Sequence, residues 1–170
     1  QLGITDTLTG ALNRRGAVSS ILHEERRQKG PQLYPLAVAM VDLDNFKRIN
    51  DPHGHAAGDT ALQVFASTVT RLMRKDDVFV RWGGEEFLLV FPGTNIEQAH
   101  GFLNRLREAL GNDNTAPGLP FAIGFSAGLA QSASMNSRED FEGLLRSVDK
   151  ALYRAKRVRG RVEVVEAVDL

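Results

Sequence analysis

The chain has 170 residues, 42% of them apolar, which suits one domain with one sizeable core. Its 21 basic and 21 acidic side chains cancel, so the charge gives no support to generic nucleic-acid or membrane-surface binding, and any phosphate site must be local. Cysteine is absent, which excludes disulfides and thiolate metal sites and is compatible with the cytosol. No apolar run approaches the roughly 20 residues of a spanning helix, and no signal peptide is visible. The first residue is Gln1 rather than methionine, so we expect a single domain over 1–170 excised from a longer, sensory protein.

In chain order, Val18, Ile21 and Leu22 fit an amphipathic helix from about Arg14 to Lys29, stopped by Gly30 and Pro31. Leu36 to Val41 is a continuous apolar run and predicts a strand buried on both faces. A short helix is expected next. Leu62, Phe65, Val69, Leu72 and Met73 then mark a second, long helix. Val78–Trp82 and Phe87–Phe91 flank Gly83-Gly84-Glu85-Glu86 and predict a hairpin, with the glycines permitting positive φ. Ala99, Phe102, Leu103, Leu106 and Leu110 give a third helix, and Phe121–Ala130 another strand. Phe141, Leu144, Leu145, Val148 and Leu152 recur at helical spacing, and Val162–Val168 is a last strand. Alternating helices and strands interrupted by one hairpin predict an α/β (α+β) fold, a mixed sheet flanked by helices.

The first strand runs into Asp42-Leu43-Asp44. Alternation puts both aspartates on one face with the Leu43 carbonyl between them, at the kind of strand end where α/β sheets bind ligands. The hairpin tip adds Glu85 and Glu86. Carboxylates converging there repel one another unless a cation lies between them, and hard oxygen ligands suit Mg²⁺. Each feature has a plainer reading. Asp44 or Asn45 can cap the helix that follows, and Glu85-Glu86 alone reads as a solvated turn.

Taken together these residues resemble the GGDEF family. Arg81-Trp82-Gly83-Gly84-Glu85-Glu86-Phe87 is similar to its signature, in the GGEEF form. Asp42 to Asp51 resembles its first-strand motif, Gly54-His55-Ala56-Ala57-Gly58-Asp59 follows in register, Asp6 to Arg15 resembles its opening turn, and Asp149 to Lys156 its last helix. The resemblance implies a palm-like nucleotidyl cyclase fold of about five strands and a diguanylate cyclase. Such an enzyme joins two GTP into cyclic di-GMP and releases two pyrophosphates, within a transient homodimer. It implies magnesium, with manganese as a substitute, held by Asp42, the Leu43 carbonyl and Glu85, with Glu86 as a further carboxylate. Glu85 is the implied base for the ribose 3′-hydroxyl. The backbone at Asn45, Phe46 and Lys47, the Lys47 side chain, and Lys156 are implied to hold phosphates, beside Gly83 and Gly84.

Asn50 and Asp59 are implied to read guanine. An amide serves O6 or N7, and a carboxylate accepts from N1–H and N2–H₂, which adenine cannot supply. His55 either supports that pocket or packs the helix start. Arg74-Lys75-Asp76-Asp77, with Arg105, resembles the family's product-inhibition site, whereas an arginine at a helix C-terminus is also favoured by the dipole alone. Two stretches depart from the family. Pro52-His53 replaces an aromatic, and proline there is expected to stiffen a turn. Gly160 comes one position late after Lys156, leaving Arg161 as the phosphate arginine with Arg159 as its rival. A catalytically silent cyclic di-GMP effector is the main alternative function. A cyclase for other nucleotides and a purely structural domain are the others.

Overall fold

The sheet has five strands in the order β2-β3-β1-β4-β5. The computed structural model describes residues 3–27, 35–112, 122–132 and 137–165, with the side chains of 22–27, 48–54 and 112 outside that description. The strands are β1 (Leu36–Leu43), β2 (Val78–Arg81), β3 (Glu86–Phe91), β4 (Phe125–Ser132) and β5 (Val162–Val165). The helices are α1 (Arg14–Arg27), α2 (Phe46–Leu72), α3 (Ile96–Asn112) and α4 (Arg138–Val158). β1 pairs antiparallel with both β3 and β4, β2 pairs antiparallel with β3, and β4 pairs parallel with β5. This is the expected mixed sheet.

All eight residues of β1 are buried, as its unbroken apolar run requires. Alternation sorts them. Ala37, Ala39, Val41 and Leu43 face a core with Phe65, Leu103 and Leu106 of α2 and α3. Leu36, Val38 and Met40 face a second core with Ala17, Phe141, Leu144 and Val148 of α1 and α4. The first core centres on Phe65, whose ring lies 4.8 Å from Phe87, 6.2 Å from Phe125 and 6.4 Å from Phe79. On the other face α4 lies so close to β4 that a Cβ at Gly128 would meet Val148 O at 2.2 Å and Leu152 N at 2.6 Å. Only glycine admits the helix backbone there.

Several expectations need correction. The predicted short helix and long helix are one continuous 27-residue α2, and Pro52 lies within it instead of stiffening a turn. Proline removes one backbone hydrogen bond. Ala61, Leu62, Phe65, Ala66 and Val69 bury enough surface further along to hold the helix. Asn45 occupies the N-cap position at φ 58°, but its side chain makes no cap bond. Gly83 and Gly84 are not among the positive-φ residues, so the hairpin turn does not use that freedom. β4 begins at Phe125 rather than Phe121, after an irregular 122–124; Phe121 itself lies outside the described residues, as do Lys29, Gly30, Pro31 and Val168.

The segment before α1 is stitched to β2. Leu12 N–H donates to Phe79 O at 3.0 Å, and Arg81 N–H donates to Leu12 O at 2.8 Å. Among the described residues, no helix is long and apolar enough to cross a membrane.

Candidate active site

β1 is central, so its C-terminal end meets the hairpin on one side and α4 on the other. Asp42 stands directly opposite Glu86 in the β1–β3 register, and Leu43 N–H donates to Glu85 O at 3.2 Å. The tip is closed by Trp82 N–H and Gly83 N–H, which donate to Glu86 O at 2.8 and 3.1 Å. Gly84 faces open space at its missing Cβ, so a bulky ligand can approach the backbone. The expected convergence of strand end and hairpin is therefore present.

Its electrostatics follow from crowding. Asp42 is 5% exposed. Burial first, then the Asp42 charge and a hydrogen bond shared with Asp42, push the Glu85 carboxyl up to about 7. Lys156 opposes that rise. Glu86 is also raised, by burial and then by Asp42 and Asp149, against Lys156 and Arg14. The Lys156 ammonium lies 2.7 Å from Asp42 Oδ1. That contact is an ion pair without hydrogen-bond alignment, because the same buried oxygen has no hydrogen-bond partner.

These observations bear on a cation. Among the described residues, no three His, Asp or Glu side chains converge as a ready-made metal cluster. Asp42 and Glu85 do touch, and Mg²⁺ typically takes one or two carboxylates and completes its shell with phosphate oxygens and water. A buried Asp42 crowded by a second carboxylate and a Glu85 that ionises reluctantly are what a divalent ion would relieve. The residues fit the ion.

Lys47 is exposed beside the first amides of α2, which lack intrahelical acceptors and can face phosphate. Phe46 packs into the core beneath them. His55 and Asp59 are exposed one turn apart on α2. The Asn50 backbone belongs to α2, while its side chain lies outside the described residues. Arg161 is exposed, with Nη1 3.5 Å from Glu163 Oε1. Arg159 is also exposed, two residues nearer α4.

Away from this end, Arg74 and Asp77 make a self-contained turn. Arg74 N–H donates to Asp77 Oδ2 at 2.7 Å, and Asp77 N–H donates to Arg74 O at 3.1 Å. The Arg74 guanidinium donates to Pro92 O at 3.2 Å and to Thr94 Oγ1. The Asp77 side chain is buried, and burial raises its pKa. Its Oδ1 lies 3.6 Å from Arg74 Nη2 but lacks a hydrogen bond. Arg105 is exposed on α3, with its guanidinium 5.9 Å from the Phe102 ring centre.

Sequence reasoning missed a brace behind the hairpin. Arg81 donates to Gly84 O from Nε at 3.2 Å and from Nη2 at 2.7 Å, and its Nη1 lies 3.2 Å from Asp6 Oδ1. Arg14 adds a second tie, donating to Trp82 O at 2.6 Å with its guanidinium 4.6 Å from the Trp82 ring centre. The only signal was the position of Arg81 beside the signature.

Comparisons with known proteins agree with this geometry. Residues 3–161 match the family model described as diguanylate cyclase, GGDEF domain. The chain is 39% identical over 169 residues to diguanylate cyclase DgcP of Pseudomonas aeruginosa, covering 96% of this chain and 24% of that protein. It therefore spans about a quarter of that relative's length. It superposes with TM-score 0.81 at 34% identity on diguanylate cyclase SiaD of the same organism, solved in complex with its activator SiaC, covering 96% of this chain and 62% of that one. The GGDEF domain of DgcB from Caulobacter crescentus, solved in complex with c-di-GMP, gives TM-score 0.79 at 29% identity over 96% and 94% of the two chains. The carboxylate pair at the strand end, the hairpin that presents it and the match along nearly the whole chain show that this protein belongs to the diguanylate cyclase GGDEF-domain family.

Proposed function

We propose that this domain condenses two GTP molecules into cyclic di-GMP, releasing two pyrophosphates. The observation that carries the reading is the Asp42–Glu85 contact, where burial and the Asp42 charge crowd a second carboxylate against the first at the end of β1. A carboxylate beside the attacking hydroxyl is suited to general-base work. Glu85 takes the proton from the 3′-hydroxyl of one GTP. The 3′-oxygen then bonds to the α-phosphorus of the other, and the α–β bridging bond breaks. A second such step closes the ring. When bound, Mg²⁺ would neutralise developing phosphate charge from a site on Asp42, the Leu43 carbonyl and Glu85, with Glu86 alongside and Mn²⁺ as a replacement.

Lys156, Arg161, Lys47 and the Asn45–Lys47 backbone bind the triphosphate beside Gly83 and Gly84. Asp59, Asn50 and His55 hold guanine. Each domain carries one half-site, so turnover needs two copies face to face, in the cytoplasm, within a longer signalling protein. Positioning then supplies most of the rate, since orienting two reactants is worth roughly 7–11 kcal/mol. Cyclic di-GMP inhibits by docking at Arg74, Asp77 and Arg105, displacing the Arg74 contacts to Pro92 and Thr94.

The test is incubation with GTP and Mg²⁺ followed by mass identification of the product. Cyclic di-GMP is expected, with none from ATP or with chelator present. Unconverted GTP at high micromolar protein would refute the reading.

A further inference from the structure

Asp44, two residues beyond Asp42, is 8% exposed. Its Oδ1 accepts from Ser126 Oγ–H at 2.6 Å, and its Oδ2 accepts from Gly160 N–H at 2.8 Å. Gly160 N–H is shared with Ser126 Oγ at 3.2 Å. Asp44 N–H in turn donates to Gly124 O at 2.9 Å. One carboxylate thus joins the end of β1, the start of β4 and the turn between α4 and β5, across a sequence separation of 116 residues.

That turn is strained. Arg159 lies at φ 67°, ψ 157°, a region used almost only by glycine, and Gly160 follows at φ 61°. A side-chain-bearing residue persists there only where its surroundings dictate the conformation. The clamp on Gly160 N–H does so from one side. On the other side, Ala127 N–H donates to Arg161 O at 2.9 Å and opens the β4–β5 pairing. The late glycine is thereby accommodated, and the turn stands between Lys156, 2.7 Å from Asp42 Oδ1, and Arg161.

We propose that Asp44 is a positioning residue for the triphosphate. By holding Gly160 N–H it fixes the end of α4, so that Lys156 and Arg161 stand ready where the phosphates bind. This rests on the GTP reading above. The clamp needs acceptor oxygens, not charge. Asparagine in its place can accept from Gly160 N–H through Oδ1 and donate through Nδ2 to Ser126 Oγ, whose hydroxyl rotates freely. Alanine can do neither.

The experiment compares Asp44→Asn, Asp44→Ala, Lys156→Ala and the double variant Asp44→Ala/Lys156→Ala. The readouts are steady-state kinetics with GTP, titration with a non-hydrolysable GTP analogue and Mg²⁺, and hydrogen exchange over 155–162 in the ligand-free protein. Asp44→Ala is expected to speed exchange there and to weaken GTP binding by about tenfold, the scale of one lost hydrogen bond, with kcat changing less than KM. Asp44→Asn should restore protection and most of the affinity. The double variant should bind less weakly than the two single losses combined, the remainder being the share carried by Arg161.

An Asp44→Asn variant as impaired as Asp44→Ala, or shifted in its Mg²⁺ dependence, would overturn the proposal in favour of a charged ligand. Full additivity with Lys156→Ala, or unchanged GTP affinity in Asp44→Ala, would overturn it too. Should Asp44→Ala fail to fold, Asp44→Asn still decides between these outcomes. If the wild-type chain converts no GTP, the functional reading fails by itself, while exchange at Gly160 still reports the clamp.

Discussion

Removing the proposed base should make the ligand-free protein more stable. In Glu85→Gln the crowded carboxyl becomes a neutral amide beside Asp42. A group that ionises near 7 instead of its ordinary 4.5 resists ionisation by roughly 3 kcal/mol at about 1.36 kcal/mol per pH unit. Glu85 is partly open to solvent, and screening reduces this to about 1 kcal/mol. The sign follows from proton binding. The folded state holds the Glu85 proton more tightly than the unfolded chain. The wild type is therefore favoured below about pH 4.5 and loses that advantage as pH rises through about 7. Thermal melts in chelator at pH 7.5 should place Glu85→Gln about 2–4 °C above wild type, the shift expected for 1 kcal/mol in a domain of this size. The gap should narrow towards pH 5 and close below about pH 4.5, and the variant should make no product. A variant melting at or below wild type throughout pH 5–8 would refute the crowding argument.

Further outcomes follow from single contacts. Gly128→Ala forces a methyl into the α4 backbone and should cost about 3 kcal/mol or more, read from denaturant unfolding. Arg81→Ala removes the brace on Gly84 O. The Asp6–Arg81 pair is largely buried and Arg81 also donates twice to Gly84 O, so stability should fall by about 1–3 kcal/mol, and kcat should drop about tenfold as the tip loosens. Arg159→Gly relieves a backbone strain of about 1–3 kcal/mol, offset in part by unfolded-state entropy, and should raise the melting temperature by about 2 °C. Arg74→Ala should leave initial rates intact and abolish the slowing of progress curves by added cyclic di-GMP; unchanged inhibition would remove Arg74 from that role.

Local patterns in the sequence were legible where burial dictates them. Leu36 to Val41 reads as a doubly buried strand because both faces of β1 meet a core, and the spacing of Phe141, Leu144, Val148 and Leu152 matches the stripe α4 buries. The hairpin and its acidic tip were legible because two apolar runs flank one short polar segment. Pro52 misled because its local preference is weak against the apolar face that Phe65 and its neighbours supply several turns later. Gly83 and Gly84 suggested positive φ, yet neither adopts it; a Cβ would meet Glu86 Oε1 at 3.0 Å at Gly83 and only open space at Gly84. Nothing local announces that Asp44 meets Gly160 or that Arg81 meets Asp6. Those pairs exist only once the sheet order has brought distant segments together.

The contact at Gly128 has a mechanical corollary. With backbone resting on backbone at Gly128, the middle of α4 has no freedom to slide along the sheet, and its C-terminal end beyond Leu152 is left to the Asp44 clamp on Gly160 N–H. The glycine tip of the hairpin, open around Gly84, is held from behind by the Arg81 and Arg14 guanidinia instead of by packed backbone. A substrate held between them would meet one jaw set by backbone packing and another, carrying Glu85, set by side-chain ties.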